Sequence, residues 1–225
     1  MNRTATLMTW VAGLVVLVAT GSDPMALAKN PPVAQENATA ITLRVYDYHH
    51  ANRPLLLAAE GEATRILADA GVDAHWVDCP TSRDAWDNYP QCRSAWKVND
   101  YSLRIMPEAM VGLLGTWQDA LGFAPDCDGG PYCWAGVFYD RVRSLAGGAT
   151  AAESVLLGRV MAHEIGHLLL GVNSHSRTGI MRANWSEREL SLNATTELYF
   201  TPEQSRRMKA QIAEQMQPKV ADLRR

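Results

Sequence analysis

The chain has 225 residues, 47% of them hydrophobic and 20% charged, and its 21 basic and 24 acidic side chains leave a net charge of −3. That near-balance argues against a nucleic-acid binder, which carries a basic stripe or domain. The apolar content argues equally against intrinsic disorder and is enough for a packed core in one domain or two small ones. One irregularity stands out: of six histidines, three (His163, His167 and His175) fall within one 13-residue window.

In chain order, Arg3, the apolar run Leu7 to Ala19 and the small-x-small triplet Ala26-Leu27-Ala28 read as a secretory signal cleaved after Ala28. The apolar run is shorter than the roughly 20 residues a spanning helix needs. The expected mature protein is therefore secreted or periplasmic and has no stable membrane association. Residues 29–39 are Pro- and Ala-rich without periodicity and read as a flexible leader. A single α+β domain is expected over 40–225.

Ile41 to Tyr48 alternates apolar and polar positions, as a half-buried strand does. Pro54 to Ala70 has helical spacing and stops at Gly71, and Val72 to Val77 reads as a second strand. This β-α-β order predicts two parallel strands joined by a crossover helix. Residues 81–100 are polar and read as a loop, Tyr101 to Met106 as a third strand and Trp134 to Tyr139 as a fourth. Two S/T-x-x-E/Q capping boxes, at Thr150 and Thr201, open helices expected to reach about Leu170 and Met216. The four cysteines fit two disulfides in an exported protein. Pairing Cys79 with Cys92 and Cys127 with Cys133 closes two short loops and is preferred; no C-x-x-C knuckle points to a zinc ribbon.

The helix from Thr150 contains His163-Glu164-Ile165-Gly166-His167. At ~100° per residue the two histidines lie about 40° apart around the axis and one turn along it, so both reach one ion. Leu157, Met161, Ile165, Leu168 and Leu169 occupy another arc, the expected core face. Glu164, adjacent to the histidine face, is placed to take a proton from a metal-bound water as general base and return it as general acid. Zinc makes such a water acidic and polarises a carbonyl, which needs three protein ligands and an open position. No G-x-S-x-G elbow and no Gly-rich phosphate loop competes with this reading.

The string from His163 to Met181 resembles the metzincin clan of zinc metalloproteases. The resemblance implies a zincin-like fold with a mixed, twisted sheet packed on the active-site helix, Zn2+ as cofactor and a peptide or protein substrate. It assigns Gly171 as the helix break, His175 as the third ligand and Gly179-Ile180-Met181 as a methionine turn. It also implies that the strand Trp134 to Tyr139 is an edge on which an extended peptide pairs. The glycine follows His167 by four residues and the histidine by eight, against three and six in the clan's pattern. The gluzincin arrangement therefore stays open, with Glu187, Glu189 or Glu197 as third ligand. Arg182 and Tyr199 are candidates for stabilising an oxyanion. His49, His50 and His75 read as surface or supporting residues. The other function classes left open are a secreted zinc-binding module without turnover and a zinc hydrolase of a non-peptide substrate. Asn37, Asn184 and Asn193 begin glycosylation acceptor triplets.

Overall fold

In the computed structural model, residues 39–112, 119–127, 132–190 and 198–217 are described. The signal segment, nearly all of the leader, Asn37, Asn193 and Glu197 lie outside them, as does the Glu187 side chain. In chain order the elements are β1 (Ala40–Asp47), α1 (Arg53–Asp69), β2 (Asp73–Cys79), 3-10 turns at Arg83–Asn88 and Pro90–Arg93, and β3 (Asp100–Met106). There follow α2 (Glu108–Val111), β4 (Gly122–Phe123), β5 (Trp134–Phe138), α3 (Tyr139–Leu145), α4 (Thr150–Leu170), α5 (Glu187–Leu190) and α6 (Pro202–Met216).

The strands form one mixed sheet in the order β2-β1-β3-β5-β4. β1 pairs parallel with both β2 and β3, and β3 with β5, so the β-α-β reading holds. Among the described residues only β4 runs antiparallel, with Gly122 opposite Val137 and Phe123 opposite Gly136. The edge beside the site is thus β4, which corrects the expectation that the strand from Trp134 would be the edge. A two-residue strand has no periodicity for a sequence to display, and pairing places β5 inside the sheet.

Strand alternation puts Leu43, Val45, Leu103, Ile105 and Val137 on one face, where they are buried together with the inner faces of α1 and α4. The opposite face is capped near β1 by the loop after β2. There Arg44 is buried, donates to Cys92 O (2.9 Å) and Asp100 (2.8 Å), and lies 4.5 Å over the Trp96 ring. The Cys79–Cys92 disulfide ties that loop to the end of β2, and Cys127–Cys133 joins the segment after β4 to the start of β5.

α4 spans Thr150–Leu170 as expected but is buried nearly all round rather than along one stripe. Arg159, fully buried one turn before His163, donates to Glu189 O (3.0 Å) and approaches Glu62 of α1 (3.6 Å). The helix is thereby anchored on two sides. Its start departs from expectation: Ala149 is the N-cap and no side chain caps the helix, because the buried Glu153 carboxylate instead meets the Tyr139 hydroxyl. The second capping box forms in full, with Thr201 Oγ1 accepting from Gln204 N (3.3 Å) and Thr201 N donating to Gln204 Oε1 (2.9 Å). Among the described residues no helix is long and apolar enough to cross a membrane.

Candidate metal centre

α4 presents His163 and His167 one turn apart, and Gly171 ends it. At φ 92°, ψ 164°, Gly171 occupies a backbone region essentially closed to residues with a Cβ, and there the chain turns back. The return brings His175 to the helix histidines. The Nε2 atoms of His163 and His167 are 3.1 Å apart, as are those of His167 and His175. Gly171→Ala is expected to cost ~1–3 kcal/mol of stability through strain at this turn. Denaturant unfolding of the metal-free protein measures it, and a loss under half a kcal/mol would rule the strain out.

The other ring nitrogens fix the tautomers. His163 Nδ1 lies 2.7 Å from Ile180 O, and a carbonyl can only accept, so His163 carries its proton on Nδ1 when neutral. His167 Nδ1 faces Gly171 O (3.3 Å) and Ser174 Oγ (3.0 Å), which fits the same tautomer. Both Nε2 atoms then direct lone pairs at each other with no proton between them. That is repulsive unless a cation sits among them. Zinc–nitrogen bonds of ~2.0–2.1 Å in a tetrahedron put ligand nitrogens ~3.3 Å apart, close to the observed separations. The donor set is that of a zinc site. Three imidazoles leave the fourth position open, as catalytic rather than structural zinc requires. Among the described residues these three histidines form the group able to hold a metal.

Burial shapes the charges. It pushes His163 down to about 4 against the help of its Ile180 bond, and lowers His167 as well, so both are neutral and ready to bind metal near neutral pH. Burial alone pushes Glu164 up to about 8. In the metal-free protein the unfolded chain therefore loses the Glu164 proton near the ordinary 4.5 while the folded chain keeps it. Folding stability contributed by this group falls as pH rises through that window. His163, depressed from 6.5, acts in the lower window and withdraws stability as pH falls toward 4. Glu164→Gln in the metal-free protein is expected to gain stability over wild type between about pH 5 and about pH 8, by up to ~1.4 kcal/mol per pH unit. Urea unfolding at several pH values measures this; a difference independent of pH would contradict it.

The histidines and Glu164 line a cleft of about 590 Å³. Its walls are the segment from Asp119 to Asp126, which includes β4, the cleft-facing side of α4, and the stretch from Arg182 to Trp185. Met181 is fully buried beneath α4, where a Cβ at Gly166 would run into its Sδ, so the methionine packs under the helix. Trp185 was not singled out from sequence as a site residue, yet its Nε1 donates to Ile180 O (3.1 Å) and its ring meets His163 edge-on at 5.7 Å. Ile180 O thus accepts from both the His163 ring and the Trp185 indole that lies against it. Ser174 was likewise missed; its position just before His175 is the only signal the sequence offered.

Other candidates separate. Glu189 accepts from Arg182 Nη1 (2.6 and 2.7 Å) and from the amide and hydroxyl of Ser186 (both 2.7 Å), which commits its carboxylate away from the histidines. Arg182 lines the cleft with its charge engaged by Glu189. Tyr199 is exposed, and its backbone carbonyl accepts from Ile180 N (2.9 Å). His49 lies tilted against the Tyr139 ring (4.0 Å) and meets Asp140 (3.1 Å), while His50 and His75 are exposed. Asn184 is exposed beside the cleft.

No protein-family model matches the chain, and no curated protein matches it in sequence. Solved structures similar to it include metalloproteinase-II from Bacteroides fragilis, 14% identical, with 82% of this chain and 56% of that chain covered at a TM-score of 0.49. Archaemetzincin from Methanopyrus kandleri is 13% identical, with 77% of this chain and 96% of that chain covered at a TM-score of 0.46. The chain spans just over half the length of the first. Both likenesses are distant, and the site stands on its own geometry.

Proposed function

We propose that the protein is an exported zinc-dependent metallopeptidase of metzincin-like architecture, with His163, His167 and His175 holding the metal and Glu164 as general base and then acid. The observation that carries the reading is the facing of Nε2 lone pairs at 3.1 Å in the same cleft as a buried carboxylate. The catalytic domain spans 40–225, after a signal over 1–28 and a leader over 29–39. The two disulfides are compatible with an oxidising compartment.

Zinc in this position supplies a Lewis acid that lowers the pKa of a coordinated water toward ~7 and polarises a carbonyl oxygen. The chain's residues do the rest. Ile180 O holds the His163 ring and Ser174 the His167 ring, so neither must reorganise on binding. Glu164 is held ionised by a dication bound in the same cleft, against the burial that protonates it in the metal-free chain. Its carboxylate, kept from bulk water, then accepts a proton from the attacking water and hands it to the leaving amine nitrogen. β4 supplies the sheet edge along the cleft, and an extended peptide pairing there through main-chain hydrogen bonds is positioned with little demand on its side chains.

The test uses purified protein exported from its host. One zinc per chain is expected, together with cleavage of a mixed peptide library that stops on chelation and returns with added zinc. Full zinc occupancy without cleavage would overturn the peptidase reading in favour of a binding module.

A further inference from the structure

Gly122 stands opposite Val137 at the sheet edge, and its φ lies outside the left-handed region, so backbone conformation does not require glycine there. Space does. A Cβ at this position would lie 2.7 Å from Glu164 Oε1, 2.8 Å from Glu164 Cγ and 2.7 Å from Gly136 O, all closer than real Cβ contacts come. Neither side is free to yield. The strand is held by Phe138 N donating to Leu121 O (2.8 Å) and Arg141 Nη1 donating to Ala120 O (2.9 Å). It is also held by Phe123, whose ring meets Trp134 edge-on at 4.9 Å and stacks on Phe138 at 5.6 Å. Glu164 is 5% exposed on a helix packed on all sides.

We propose that Gly122 is a positioning residue for Glu164: its bare Cα is the wall against which the carboxylate rests. The edge strand that pairs with substrate and the group that moves the proton are thereby set at a fixed separation. The catalytic half of this inference rests on the peptidase reading above; the contact itself does not. Any side chain at 122 pushes the carboxylate off its place. A misplacement of about 1 Å costs on the order of 100-fold in rate.

The experiment is a double-mutant cycle of Gly122→Ala with Glu164→Asp, which withdraws the carboxylate by one methylene, read in two ways. In the zinc-loaded protein, Gly122→Ala is expected to lower kcat about 100-fold with KM within about threefold and zinc content unchanged. In the Glu164→Asp background the same change is expected to cost less than about threefold. In the metal-free protein, Gly122→Ala is expected to lower the thermal midpoint by roughly 5 °C, and by clearly less when Glu164 is Asp or Ala. Equal losses in all backgrounds would mean that Gly136 O alone excludes the side chain, and would overturn the proposal. If Gly122→Ala folds only when Glu164 is truncated, the contact is upheld; if it folds in neither background, it is refuted. A wild type without peptidase activity would remove the function reading while the metal-free melts still decide the contact.

Discussion

Glu164→Gln is expected to leave zinc content and fold intact and to lower kcat by ~10²–10⁴-fold. The amide has the shape of the carboxylic acid and suits the same buried site, so structure is not the expected cause of loss. What disappears is the capacity to take and return a proton. KM should change little, because the residue acts on the proton in flight and not on bound peptide, so kcat and kcat/KM fall together. Steady-state kinetics beside metal analysis measures this. Retention of more than about a tenth of wild-type kcat would remove Glu164 from the proposed role.

His175→Ala is expected to weaken zinc binding by well over 100-fold, more than the ~10–100-fold typical of losing a supporting partner. Ser174→Ala, which removes only the hydroxyl beside His167 Nδ1, supplies that smaller comparison. Glu189→Gln should leave zinc affinity unchanged and loosen Arg182 and Ser186, since those are the groups its carboxylate holds. Competition titrations with a chromogenic chelator read all three variants. Unchanged affinity in His175→Ala would move the third ligand to another group, with Glu187 and Glu197 the first to examine.

How much of this was legible in the chain follows the range of the interactions. The pairing of His163 with His167 depends on one helical turn, and the sequence displays it in five residues. The two disulfides close short loops, so proximity along the chain anticipated them. The capping box at Thr201 is local and formed as read. The one at Thr150 is equally local in pattern and did not form, because Tyr139 offers Glu153 a partner that no helix-start rule contains. The apolar arc of α4 was real but incomplete, since packing on all sides buries residues that a single-stripe reading leaves facing solvent.

By itself, then, the sequence determined the helix, its paired histidines and carboxylate, the break at Gly171, the parallel pairing of the first two strands and the local disulfides. Each is set by spacing within a few residues or by the alternation of one element. Tertiary structure decided what depends on distant segments meeting. It brought His175 to the helix histidines while Arg182 and Ser186 took Glu189, and it made β4 the edge in place of β5. It also fixed the histidine tautomers through Ile180 O and set Glu164 against Gly122. A two-residue strand has no period and a backbone carbonyl has no letter in the sequence, so neither could be read until the chain had folded around them.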